Sequence, residues 1–222
     1  TAPTALVIDQ VLDNVEYVVG PIAPNGVTND TTPTVQGHGA EPNALITLKD
    51  TNGNVLGTAV ADANGYWSVE PTTANALADG PHTLQVTQTD QAGNESAPVT
   101  FNLSVDTTAP TEAVQITDVI DDVAPVVGSV TNGGYTNDTS PLLKGTVSAT
   151  LAAGEVVVVL RDGVVVGTAT VTGTTWTFQD NGLLDGHQYQ YTARVEDAAG
   201  NRGGISNAYN INIDTTAPTQ AV

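Results

Sequence analysis

The 222-residue sequence has no cysteine and no methionine, and only 5 Lys and Arg stand against 24 Asp and Glu. Each absence removes a class of function. Without cysteine there is no disulfide framework, no thiolate metal site and no cysteine nucleophile. A net charge of −19 repels phosphate backbones and anionic lipid, so nucleic-acid and membrane-surface binding are both disfavoured. The longest purely apolar run, Val156 to Leu160, is far short of the roughly 18 residues a membrane helix needs. No basic-then-apolar N-terminal segment is present, and an export signal is expected outside this chain. Aromatics make up 5% and charged residues 13%, yet 40% of the residues are hydrophobic, which separates the sequence from acidic disordered chains. What it does have is Val, Thr and Ala, punctuated by 22 Gly and 12 Pro. That mixture favours strands separated by tight turns, and an all-β fold is expected.

The chain repeats itself. Asp106-Thr107-Thr108-Ala109-Pro110-Thr111 returns as Asp214-Thr215-Thr216-Ala217-Pro218-Thr219, 108 residues on, and Thr1-Ala2-Pro3-Thr4 is the same motif with its front removed. Thr28-Asn29-Asp30-Thr31-Thr32-Pro33 matches Thr136-Asn137-Asp138-Thr139-Ser140-Pro141 at the same spacing. Gly57-Thr58-Ala59 matches Gly167-Thr168-Ala169, Trp67 matches Trp176, and Asp90-Gln91-Ala92-Gly93-Asn94 matches Asp197-Ala198-Ala199-Gly200-Asn201. Preserved order with small indels in turns defines two units, expected at residues 1–105 and 106–213, with 214–222 opening a third copy. The sequence thus reads as a piece of a longer array.

Alternation places the strands. In the first copy these are a strand near Leu6 to Ile8, then Thr34 to Gln36, Leu45 to Lys49, Val55 to Val60, Tyr66 to Val69, His82 to Gln88 and Val99 to Val105. Asp50 to Asn54, Asp62 to Gly65 and Ala78 to Pro81 form the turns between them. The second copy shortens one hairpin to the two residues Asp162-Gly163, a turn that suits strand twist. About seven strands in about 100 residues is the arithmetic of an immunoglobulin-like sandwich. Trp67 and Trp176 are expected in the cores of the two units.

The Asp-Thr-Thr-Ala-Pro-Thr junction, Thr-Asn-Asp-Thr-Thr/Ser-Pro, Gly65-Tyr66-Trp67 and Asp-x-Ala-Gly-Asn resemble the tandem bacterial Ig-like domains of giant biofilm-associated and type-I-secreted surface adhesins. The resemblance covers essentially the whole chain. It implies an elongated extracellular array on the bacterial cell surface, stiffened by Ca2+ at or near the domain junctions. The partners it implies are neighbouring repeats of the same chain, and a host-cell surface or the same adhesin on other cells. A monomer is expected.

Strand direction then suggests where calcium would sit. Asp106 ends the last strand of the first copy, and the Asp197 to Asn201 loop is expected at the facing end of the second, so Asp106, Asp197 and Asn201 form one candidate site. Carboxylate, amide and backbone oxygens are the ligands calcium takes. Asp90 and Asn94 are the matching positions of the first copy. A second candidate cluster is Asp118, Asp121, Asp122 and Asp138. The first copy offers Gln10, Asp13, Asn14 and Asp30 there, and with fewer carboxylates is expected to be the weaker ion site. The competing reading is turn chemistry, since Asp, Asn and Gly populate turns without any metal. The Asp50 to Asn54 turn is not an EF-hand, because Ala61 stands at the twelfth position.

No Ser-His-Asp arrangement, phosphate loop or paired catalytic carboxylates outside the turns can be found, and no enzymatic activity is expected. His38, His82 and His187 are not spaced as a ligand set. The expected role is a calcium-rigidified spacer of a surface adhesin. The alternatives are a carbohydrate-binding or self-associating module, and an accessory domain of a secreted enzyme.

Overall fold

The computed structural model describes residues 1–219. Residues 220–222, the last three of the expected third-copy start, lie outside them. The chain divides into two compact units, Thr1–Thr108 with Ala198–Asn201, and Ala109–Asp197 with the residues from Arg202 onward.

Each unit is a pair of sheets. In the first, one sheet runs in the order β2 (Gly20–Pro21), β1 (Val7–Asp13), β4 (Thr34–His38), β7 (Trp67–Val69). The other runs β3 (Gly26–Thr28), β9 (Val99–Val105), β8 (Gly80–Thr89), β5 (Leu45–Lys49), β6 (Val55–Val60). In the second unit, one sheet is β11 (Gly128–Ser129), β10 (Val114–Asp121), β13 (Leu142–Val147), β17 (Thr175–Gln179), β16 (Thr170–Thr172). Its partner is β12 (Gly134–Thr136), β19 (Tyr209–Ile213), β18 (Gln188–Glu196), β14 (Val156–Arg161), β15 (Val164–Thr168). Pairing is antiparallel except where β3 meets β9 and β12 meets β19. A single 3-10 turn, Thr73–Asn75, is the helical element among the described residues, and no helix there is long and apolar enough to cross a membrane.

The alternating residues face inward as the sequence pattern requires. Val11, Val35, Ile46, Leu48, Leu84 and Val86 are fully buried in one core, and Val119, Leu143, Val157, Val159, Tyr191 and Ile211 in the other. Trp67 and Trp176 lie in these cores, each donating its indole N–H to a backbone carbonyl, of His38 and Thr146 respectively, at 3.3 Å. Each ring presses on a glycine of the next strand. A Cβ on Gly37 would lie 2.4 Å from the Trp67 ring, and one on Gly145 2.2 Å from Trp176. Truncating such a tryptophan to alanine costs about 3–5 kcal/mol.

The two-residue hairpin forms as expected: Asp162 and Gly163 both have positive φ, 52° and 80°, and Arg161 pairs with Val164. The strand count differs from the sequence estimate. Strands β2, β3, β11 and β12 span only two or three residues each, too short to show alternation, so they read in the sequence as a long connection.

Candidate functional site

The chain leaves each unit through the same hydrogen-bonded cap. Asp106 donates its backbone N–H to the Thr28 carbonyl at 2.9 Å, and Asp214 does the same to Thr136 at 2.9 Å. Their carboxylates accept the N–H groups of Thr108 (3.0 Å) and Thr216 (3.1 Å). A second carboxylate completes the cap. Asp79 accepts from the Thr107 N–H and hydroxyl and from the Thr108 hydroxyl; Asp185 accepts from the Thr215 N–H and the Thr216 hydroxyl. These bonds favour the ionised form. The Thr107 hydroxyl chiefly holds Asp79, and the Thr215 N–H chiefly holds Asp185, below the usual carboxylate range.

Beside each cap lies a buried carboxylate pair joined by one threonine. The Thr28 hydroxyl donates to Asp13 at 2.5 Å and accepts from the Asp30 N–H at 3.0 Å; Thr136 does so with Asp121 (2.6 Å) and Asp138 (3.0 Å). Asp13, Asp30, Asp121 and Asp138 are all at most 5% exposed. Every one of their carboxylate oxygens accepts a hydrogen bond: Val15, Asn14 and Thr32 supply backbone N–H donors in the first unit, and Val123, Asp122 and Ser140 in the second. That is how a charged group is buried without a basic partner. The two copies build the same set of bonds.

The other candidate residues have different surroundings. Asn201 donates its side-chain amide to the Asp106 carbonyl at 2.8 Å, both within the first unit. Asp197 comes directly after β18 in the second. Asp90 and Asn94 form a self-contained turn, in which Asp90 accepts the Ala92 and Asn94 N–H groups and the Asn94 amide at 2.7–2.8 Å. The Asn94 side chain chiefly holds the Asp90 carboxyl low. The Asp50 to Asn54 turn repeats this construction. Asp118 does not join Asp121, because its carboxylate takes the Ser129 hydroxyl. Asp122 points its side chain outward and contributes only its N–H to Asp138, at 3.5 Å.

Among the described residues, no three His, Cys, Asp or Glu side chains gather as a metal-holding group. The donor chemistry of the carboxylate pairs still suits a hard cation; separately, Asn29 Oδ1 in the first unit and Glu112 Oε2 in the second are buried without a hydrogen-bond donor. Sequence reading missed Asp79, Asp185 and Glu112. The signal for the first two was present, since Asp79-Gly80 and Asp185-Gly186 precede the same long strand in both copies.

Fold and repeated caps together define a tandem immunoglobulin-like β-sandwich protein. The bacterial Ig-like domain family matches residues 19–107 and again 115–215, and the chain belongs to that family. Among solved structures it is similar to the fibronectin(III)-like modules of CbhA from Clostridium thermocellum, with 15% identity, 94% of each chain covered and a TM-score of 0.54. It also matches an adhesin described as Ca2+-stabilized, with which an Antarctic bacterium reaches out and binds ice: 22% identity, 93% of this chain, 50% of that one, TM-score 0.39. A biofilm-associated protein BSP domain matches at 19% identity over 96% of this chain and 30% of that one, TM-score 0.29. At these identities the likeness is one of fold. No curated protein sequence matches the chain.

Proposed function

We propose that the chain is a spacer region of a large bacterial cell-surface adhesin, in which calcium stiffens the succession of repeats. The observation that carries this reading is the cap repeated at the end of both units, alike except for the added Thr107 hydroxyl bond to Asp79. Asp79 with Asp106, and Asp185 with Asp214, hold the Thr-Thr pair so that the chain leaves each sandwich in the same way. A device that fixes the exit of every repeat serves an array better than it serves a lone domain. Family membership, the motif resemblance and the anionic excess support the same conclusion.

Calcium would be held by the Asp106 carboxylate with the Asn201 amide oxygen, both in the first unit, and by the pairs Asp13–Asp30 and Asp121–Asp138. Bound at the two buried pairs, it would neutralise carboxylates that accept from threonine hydroxyls and backbone N–H groups. Extracellular modules bind calcium at roughly 10⁻⁴–10⁻³ M, so one site at millimolar calcium adds on the order of 1 kcal/mol. Its larger effect would be on stiffness, because linkers have little packing of their own.

Small-angle scattering and thermal melting, each in millimolar calcium and in chelator, test this. A larger maximum dimension and a melting point a few degrees higher in calcium are expected. Identical scattering and melting in both conditions would remove calcium from the mechanism and leave a metal-free spacer.

A further inference from the structure

The two units differ at one edge of the sandwich. In the second unit the Asn207 carboxamide lies against β10. Its oxygen accepts the Ile116 N–H at 3.0 Å and its nitrogen donates to the Ile116 carbonyl at 3.1 Å. An amide that gives one donor and one acceptor to the same residue does what the backbone of a paired strand would do. Two residues on, the Tyr209 hydroxyl donates to the Val130 carbonyl at 2.6 Å. The second unit thus closes this edge with its own side chains.

The first unit has the same register without the closure. Ile8 faces Gly37 as Ile116 faces Gly145, and a bulge comes next in each strand. The Val7 carbonyl points towards Gly37, as the Gln115 carbonyl points towards Gly145, which turns the N–H and C=O of Ile8 the other way. Strand β2 covers only Leu12 and Asp13 of β1, leaving the first half of that edge open. Phe101 lies opposite Leu84 as Tyr209 lies opposite Tyr191, so Val99 occupies the place of Asn207. Neither Val99 nor Phe101 has a polar tip. What remains is an open groove of about 630 Å³ along β1, walled by Leu6, Ile8, Ile22, Val99 and Phe101.

We propose that this groove of the first unit accepts an extended peptide, whose backbone pairs with Ile8 as the Asn207 carboxamide pairs with Ile116. An exposed strand edge beside an apolar trough is the arrangement used in β-strand addition: main-chain bonds give affinity, and every second side chain enters the trough. The volume is within the range of ligand sites and takes a few residues of strand. Asp9 at its rim is engaged by His38 at 2.8 Å, so the charge of −19 is what favours a basic peptide.

The probe is an alternating Lys-Thr-Val-Thr-Val-Lys peptide, titrated to millimolar concentration into the ¹⁵N-labelled two-unit chain while backbone amide shifts are followed. The amides of Leu6 to Gln10 and of Thr100 and Phe101 should move, with Ile116 unmoved as the internal control. The same peptide N-methylated at its first valine loses a backbone donor and should bind about tenfold more weakly. Val99→Asn, which imitates the closure of the second unit, should abolish the shifts. If that variant does not fold, the comparison of the two peptides on the unaltered chain decides alone. No shift at Ile8, equal shifts at Ile116, or equal binding of the N-methylated peptide would each overturn the proposal.

Discussion

The two units share a scaffold but fill its corresponding places differently. Tyr191 in the second core stands where Leu84 stands in the first, and Asp180 where Pro71 does. Around these residues the second unit builds a buried polar network. The Tyr191 hydroxyl donates to Asp180 at 2.5 Å, and Arg161 reaches the same carboxylate oxygen at 2.9 Å. Burial first, and the Asp180 carboxylate second, push the Tyr191 phenol far above its ordinary range, so it stays a neutral donor. The first unit spends its buried polarity elsewhere. Gln88, fully buried, accepts the Glu41 N–H at 2.8 Å and donates to the Thr4 carbonyl at 2.9 Å, tying down the entering segment. In one family fold, then, strand pattern and caps stay constant while the polar fasteners move. The lesson is that the constant parts define the repeat and the variable parts define the individual domain.

The sharpest way to break the comparison is Asp180→Ala. It strands Tyr191 and Arg161, whose side chain is 26% exposed while that of Asp180 is 7% exposed. Removing one member of a buried pair costs about 3–5 kcal/mol, and partial exposure of Arg161 places the expected loss near about 3 kcal/mol. Denaturant unfolding followed through amide signals of each unit separately should show the loss in the second unit alone. A loss under about 1 kcal/mol, or an equal loss in the first unit, would mean that this network is not what distinguishes the two cores.

A smaller effect is expected at the carboxylate pairs, and it bears on calcium. Thr28→Val and Thr136→Val each remove the hydroxyl that joins two buried groups, and each should cost about 1–3 kcal/mol. Because both copies make the same bonds, the two variants should lose equal stability in thermal melts. If Thr136→Val alone also changes the response to chelator, then the Asp121–Asp138 pair holds an ion that the Asp13–Asp30 pair does not.

Much of this architecture was legible in the sequence because repetition filters noise. Trp67 and Trp176 read as core residues from their strand positions, and the Asp162-Gly163 hairpin from its turn chemistry. The short strands were not legible, since two or three residues carry no alternation. Nor was the fate of the acidic cluster. Asp118 and Asp121 are three apart on one strand and so lie on opposite faces, and the bulge between Ile116 and Asp118 sets which of them faces inward. Spacing alone could not reveal that Asp118 turns to Ser129. Nor could it show that Asp121 is buried while Asp122 points outward. Asp79 and Asp185 were hidden for another reason: an Asp-Gly pair reads as an ordinary turn until the threonines it grips are seen.

Those two residues give the smallest expected effect and the cleanest test of sameness. Their folded-state pKa values are depressed, so the fold prefers the carboxylate. The stability they contribute is complete above the unfolded pKa, about 4, and is lost as pH falls through the lower folded value. Both are fully exposed, so the change should appear locally rather than as global unfolding. Tracking the Thr107 and Thr215 amide signals from pH 6 to pH 2.5 should give two titrations, each with its midpoint below the usual carboxylate value. Asp79→Asn should abolish the first and leave the second intact. Midpoints at the ordinary value would mean the caps do not persist in solution. Widely different midpoints would mean that the chain leaves its two units under unequal constraint, and the argument for an array built from identical exits would fail with them.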